Sequence, residues 1–298
     1  MNQINNFIPL TEKQNLDIVE LAKQQKNSIV SDDAPIANDL LLLLEKKNIT
    51  LLQYPIEDNG AKSFSAMFLT TNDAGIECSF IGLNTNDYYD KQIFSIVHEL
   101  YHYAKKDEWH ISRDDESDSS DLTELFADKF AAEFILPLQT FKKIIVAEFE
   151  KSEISQIHTT TLLRFIARIH CTWWLPYKSI VRRLLEAGSI NQNIYELLYE
   201  IDARNPSGEY YKIGLAIDET IFPMLNCVTR KIGAQAADLE VLVRNYEDGI
   251  TSESEFIDDL SIFGKNPEGF GVSFEISQED ISEINELWNE GTKDESEC

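Results

Sequence analysis

The chain has 298 residues, 43% of them apolar, with 52 acidic side chains against 26 basic ones and a net charge of −26. That length supports one or two domains with a sizeable core, and that charge argues against a surface that binds nucleic acid generally while favouring basic protein partners. No secretory signal is read at the start, the longest apolar run (Leu40–Leu44) is too short to span a bilayer, and Cys78, Cys171, Cys227 and Cys298 show no framework spacing, so a cytoplasmic location is expected.

In chain order, residues 11–27 predict a helix with Thr11 as its cap and Leu16, Ile18, Val19 and Leu21 on its apolar side. A second helix is expected over 34–47, opened by Asp32, Asp33 and Pro35. Ile49–Tyr54, Ser63–Thr70 and Ile76–Leu83 carry strand patterns, and Thr71–Gly75 reads as the turn between the last two. Together they predict a small antiparallel sheet.

The segment from about Asp90 to Tyr103 follows, with Ile93, Phe94, Ile96, Val97, Leu100, Tyr101 and Ala104 in a 3.6-residue apolar stripe and no proline or glycine from Tyr88 to Lys106. Inside it stands His98-Glu99-Leu100-Tyr101-His102, an H-E-x-x-H motif. Histidines four apart on a helix share one face, so both imidazoles can reach a single Zn²⁺, and Glu99 can then serve as general base toward a metal-activated water. A strand edge beside such a cleft is where a protease often holds an extended peptide by main-chain hydrogen bonds.

A catalytic zinc takes three protein ligands, and the next helical pattern, Glu124 to Ile135 with Pro137 as its stop, offers the third. Glu124 is placed to be a ligand. Asp128, one turn further on the same face, is placed to accept the other ring N–H of a ligating histidine.

The H-E-x-x-H helix followed by E-x-x-A-D-x-F-A-A-x-F-I-L-P resembles the ImmA/IrrE family of bacterial metallopeptidases, matching at Glu124, Ala127, Phe130, Ala131 and Pro137, with Asp128 in place of the commoner asparagine. The resemblance covers roughly residues 30–190. It implies a zincin-like, α+β but mainly helical fold, with Zn²⁺ on His98, His102 and Glu124 and Glu99 as catalytic base. It also implies regulatory proteolysis of a basic helix-turn-helix repressor or antitoxin-like partner encoded nearby; a toxin–antitoxin, phage-response or stress-response setting is compatible with that. An oxyanion donor is not assigned by motif; His110, His158, His170, Tyr101 and Tyr103 are the residues considered.

Between the two motif helices, Asp107–Asp121 is acidic and serine-rich and reads either as a solvated loop or as a mobile acidic rim that steers a basic substrate. After Pro137 a helix is expected over 138–150. Thr159–His170 and Pro176–Ala187 then form a helical pair carrying Arg164, Arg168, Lys178, Arg182 and Arg183. Its spacing resembles a helix-turn-helix; its arginines either contact an acidic surface or DNA, or pair with the chain's own carboxylates, and the net charge favours the latter. Helices are expected over 191–201, 218–231, 234–246 and 252–262, then an acidic tail from Glu275 to Cys298 with a final helix near Ile281–Trp288. The expected organisation is a zincin-like domain over 1–150, the helix-turn-helix-like pair over 151–190, and a mostly helical, partner- or signal-recognising region over 191–298. Two other classes of function fit the residues: an acidic binding protein that sequesters a basic repressor or toxin, and a DNA-linked regulator working through the basic pair. No membrane association is expected.

Overall fold

In the computed structural model, which describes residues 10–27, 34–36, 39–57, 64–73, 76–107, 109–113 and 122–274, the first helix begins at a reciprocal cap. The Gln14 backbone N–H donates to Thr11 Oγ1 at 3.3 Å, and Gln14 Oε1 accepts from the Thr11 backbone N–H at 2.8 Å. This helix, α1 (Glu12–Asn27), buries Ile18 and Ala22 while Leu16 stands 63% exposed, so its core face is narrower than the sequence suggested. Lys26 is also buried, with Nζ donating to the Ile135 carbonyl at 3.4 Å and lying 5.4 Å from the centre of the Trp173 ring. α2 (Asp39–Lys46) buries Leu40, Leu43 and Leu44; its expected opening at Asp32 and Asp33 lies outside the described residues.

β1 (Ile49–Tyr54), β2 (Phe64–Asp73), β3 (Ile76–Asn84) and β4 (Trp109–Arg113) form a four-stranded sheet in the order β1-β3-β2-β4. The β2–β3 and β2–β4 pairs are antiparallel, but β1 runs parallel to β3, with Leu51 beside Ile81. The expected antiparallel sheet is therefore mixed. Both edges of β2 are taken by β3 and β4, and β1 takes the outer edge of β3. β1 and β2 run in opposite senses, which makes β1 parallel to β3. β4 is a second correction, since it occupies part of the segment read as an acidic loop. The cue was there in Trp109-His110-Ile111, a short aromatic and β-branched run flanked by acids. The remaining acids of that segment, from Asp114 on, lie outside the described residues, as do Glu108 and the whole tail from Glu275.

Leu51, Ile81 and Phe68 line up across three strands and are all buried. α3 (Tyr89–Lys105) packs on β2 and β3 and buries Ile93, Ile96, Val97 and Leu100. α4 (Leu122–Ile135) packs against α3 and α1 with Ala127, Phe130, Ala131 and Phe134 at 0% exposure. Each phenylalanine removed from water there contributes about 2–3 kcal/mol before entropy. Pro137 breaks the helix, and Glu133 Oε2 accepts the first backbone N–H of α5 (Leu138–Phe149), from Leu138, at 3.0 Å.

α6 (Thr159–Trp173) and α7 (Tyr177–Glu186) form the expected helical pair. Arg183 is 1% exposed, donating to Glu133 at 2.9 Å, Glu186 at 3.1 Å and the Leu136 carbonyl at 3.0 Å; Arg168 pairs with Glu148 at 2.5 Å. α8 (Gln192–Tyr199) follows, then α9 (Glu209–Ile217) and α10 (Ile221–Leu225). The helix expected over 218–231 is not formed beyond α10, and α9 stands one segment earlier. Gly214 permits this arrangement: a Cβ there would lie 2.0 Å from the Phe222 ring. Residues 227–233 instead give their backbone groups to other elements. Tyr89 N–H donates to the Cys227 carbonyl at 2.9 Å, Arg230 N–H to Thr85 at 2.9 Å, and Gln53 and Gly233 exchange bonds of 2.8 and 3.1 Å. Long-range pairing outweighed local helix preference in that stretch.

A buried polar cluster anchors the start of α3. Asp90, at 0% exposure, takes two bonds from Arg204 Nη2 at 2.6 and 2.7 Å and faces His170 Nε2 at 3.1 Å, while His170 Nδ1 meets the Tyr210 hydroxyl at 3.0 Å. Burial alone would raise the Asp90 carboxyl, but His170 and Arg204 more than offset it and hold it below its ordinary value.

Contacts divide the chain into residues 1–235 and 236–298. In the second unit, α11 (Ala236–Glu247) and α12 (Glu253–Ile262) pack through stacked Tyr246 and Phe256 rings 4.6 Å apart, and Ser252 with Glu255 forms a capping box. No helix of the described residues is long and apolar enough to cross a membrane.

Asp90→Ala should destabilise the fold by about 3–5 kcal/mol, because Arg204 and His170 then lose their buried counter-charge. The sign with pH follows from the lowered carboxyl: its contribution is present above its ordinary 3.8 and is lost as pH falls through the lower folded value. Urea unfolding of wild type and variant at neutral and acid pH should show the gap closing below pH 3.8; a constant gap would exclude this account.

Candidate metal centre

The buried face of α3 turns His98, Glu99 and His102 inward, with exposures of 6%, 0% and 0%. The imidazole centroids lie 5.5 Å apart, as expected for successive turns of one helix face. α4 crosses this face and presents Glu124 from its first turn. Glu124 Oε2 is 3.3 Å from His98 Nε2, and Glu124 Oε1 is 4.0 Å from His102 Nε2. One donor atom from each of the three residues falls within a common 4.8 Å. Ligands about 2.1 Å from a tetrahedral ion sit about 3.4 Å from each other, so the separations fit a divalent cation held among these groups.

The opposite nitrogen of each ring explains why Nε2 faces Glu124. His98 Nδ1 meets Asp128 Oδ1 at 3.0 Å, and His102 Nδ1 meets Asp107 Oδ2 at 2.8 Å. A carboxylate accepts only, so each Nδ1 is a protonated donor and each Nε2 is the nitrogen that a metal can take, displacing any proton it carries. Asp128 thus stands where the helical spacing from Glu124 indicated. The sequence pattern alone puts Asp107 in the acidic loop and not in the site. α3 ends at Lys106 in the left-handed conformation (φ 61°), with the Lys106 N–H donating to Tyr103 and the Asp107 N–H to His102. That turn folds Asp107 back onto the ring of His102. A sequence signal for it, an acid just beyond the histidine helix, is indistinguishable from an ordinary loop acid before the turn geometry is known.

Electrostatics agree with a cation site. Burial alone would lower the His98 imidazole, yet hydrogen bonds to Asp128 and Glu124 and the charges of Asp128 and Glu99 push it up to about 10. Carboxylates packed around a buried ring demand a positive charge, supplied by a proton or by a metal that displaces it. The donor set of two imidazoles and a carboxylate, with water access at Glu124 (31% exposed), is that of an open rather than a closed metal site.

The other residues considered for the site are placed as follows. His158 caps α6, accepting from the Thr160 N–H at 3.3 Å, and His170 belongs to the Asp90 cluster, so neither joins the three-donor group. Tyr103 packs edge-on against Phe68, at 6.1 Å between centroids. Tyr101 is 3% exposed and edge-on to His102, and burial with the charge of Asp107 pushes its hydroxyl up to about 12. The side chain of His110 lies outside the described residues.

A family profile described as the IrrE N-terminal-like domain, a peptidase family, matches residues 44–167. The matched span runs from the end of α2 into α6 and contains His98, Glu99, His102, Asp107, Glu124 and Asp128. No curated protein matches the chain.

Asp107→Ala and Asp128→Ala should each weaken divalent-metal affinity by about 10–100-fold, measured by chelator competition, with the fold retained. Because His98 carries a proton at neutral pH without metal, uptake at pH 7 should release a proton. Calorimetric enthalpies that do not vary with buffer ionisation would contradict that.

Proposed function

Residues 44–167 match the IrrE N-terminal-like peptidase domain, and from that likeness we propose that the chain is a zinc-dependent endopeptidase of the ImmA/IrrE type acting on a basic helix-turn-helix repressor or antitoxin-like protein. The observation that carries the reading is the convergence of His98, His102 and Glu124 donor atoms beside the buried Glu99. Two nitrogens and one carboxylate oxygen with an open fourth position suit zinc among the common divalent ions.

The residues divide the work. His98, His102 and Glu124 would hold the ion, which when bound acidifies a water and polarises the scissile carbonyl. Asp128 and Asp107 keep both imidazoles in the Nε2-donor tautomer. Glu99 removes the proton of the attacking water and returns it to the leaving amine. Among the described residues, β4 is one of the two edge strands of the sheet and begins two residues after Asp107. Its outer backbone groups suit an extended substrate that adds as a further strand. The chain's charge of −26 favours encounter with a basic protein.

Glu99→Gln should retain one equivalent of zinc and lose about 10²–10⁴-fold in cleavage of a helix-turn-helix protein encoded beside this one, followed by electrophoresis of the incubated pair. Undiminished cleavage would remove Glu99 from the mechanism. A variant that cleaves nothing yet still relieves repression in cells would instead favour sequestration by the acidic surface. For the wild type, raising salt should lower kcat/KM through slower encounter while leaving kcat nearly unchanged.

A further inference from the structure

Behind His98, on the side of its Nδ1, α1, α3, α4, α5 and α7 line a partly open pocket of about 470 Å³. That volume is in the range that holds a small organic molecule. None of the three metal-donor residues lines it, and neither does Glu99. Its lining is therefore separate from the three donors and the general base. Asp128 touches both: its Oδ1 is on His98 Nδ1 at 3.0 Å, and its side chain forms part of the pocket wall.

The lining pairs an apolar wall with one differently placed cation. Phe94, Leu125, Ala132 and Leu138 supply the apolar surface. Two acidic lining residues, Glu133 and Glu186, neutralise Lys129 and Arg183. Lys129 Nζ is 2.9 Å from Glu186, and Arg183 donates to Glu133 and Glu186. Arg182, the next residue round α7, is not part of that closed set. Its Nε is buried without a hydrogen-bond partner among the described residues, while the side chain bonds Tyr195 and feels the charge of Asp128, a carboxylate already bonded to His98. A guanidinium with a buried N–H left over, beside a carboxylate already bonded to an imidazole, is a receptor for a further anion.

We propose that this pocket binds a small ligand with an apolar body and an anionic head, carboxylate or phosphate, held by Arg182, and that its occupancy is felt at His98 through Asp128. An anion on Arg182 draws that charge away from Asp128. Asp128 then holds the His98 N–H more strongly, and His98 Nε2 becomes a better donor. The coupling, though not the pocket, rests on the reading of His98 as a metal ligand.

The test is calorimetry on the full chain, first metal-free, with hexanoate and hexyl phosphate as probes and hexanol as the neutral control. Both anions should bind, at least tenfold more tightly than hexanol. Arg182→Gln should lose that tenfold preference. Ser179→Phe, which fills the pocket from α7 without touching the charges, should abolish binding of all three while the melting temperature stays close to wild type. No binding of either anion, equal binding of hexanol, or binding unchanged in both variants would overturn the pocket. With saturating hexanoate, zinc affinity measured by chelator competition should rise by about two- to tenfold, the range typical of weak coupling between sites. An unchanged zinc affinity in a chain that binds hexanoate would overturn the coupling. Hexanoate binding in a chain that takes up no zinc would support the pocket and sink the metal reading instead.

Discussion

Two imidazoles buried between a sheet and a crossing helix can each be aimed in only one way, and the rest of the site depends on how that aim is set. Each ring is gripped at Nδ1 by a carboxylate, Asp128 from α4 and Asp107 from the turn that ends α3. That grip commits both Nε2 atoms to the space in front of Glu124. Placing several carboxylates around buried rings is costly unless a positive charge joins them. The same arrangement that orients the histidines therefore creates the demand for a cation.

The helix that carries the histidines is fixed at both ends by polar groups rather than by packing alone. At its start, Asp90 is held by Arg204 and His170 from elements more than seventy residues away. At its end, the left-handed Lys106 turns the chain so that Asp107 returns to His102. An apolar interface between a helix and a sheet tolerates small rotations and slips, because many packings bury similar area. A buried carboxylate has few satisfactory positions, so the two anchors define rotation and depth together. α4 is treated alike: Glu133 near its end takes Arg183 from α7 and caps α5, while Lys26 from α1 meets the Ile135 carbonyl. The basic residues of α6 and α7 that the sequence left between two readings are engaged in this way at Arg183 and Arg168, by the protein's own carboxylates.

Much of this was legible beforehand where local signals are strong. The apolar stripe around Ile93, Ile96, Val97 and Leu100 identified α3, and Pro137 marked the end of α4, because helix periodicity and proline geometry act over a few residues. Glu124 and Asp128 were readable because they sit four apart on one helical face. The departures share a cause. The parallel placement of β1, the pairing of β4, the extended run after α10 and the return of Asp107 all depend on backbone partners distant in sequence. Glu133 illustrates the same limit in a side chain. In the motif it occupies a variable position, and only the arrival of Arg183 and Leu138 gives it a role.

What the amino-acid order determined by itself is the chemistry available: two histidines and a glutamate on one helical face, a second glutamate and an aspartate one turn apart, and a strongly acidic chain around them. These follow from covalent spacing and helix geometry, which are properties of the local chain. Tertiary structure alone decided which nitrogen of each ring faces the centre, that Asp107 belongs to the site, and that a pocket lies behind Asp128 with Arg182 at its wall. Those depend on how α3, α4 and α7 cross, and helix crossing is set by packing and buried charge pairs contributed from across the whole first unit.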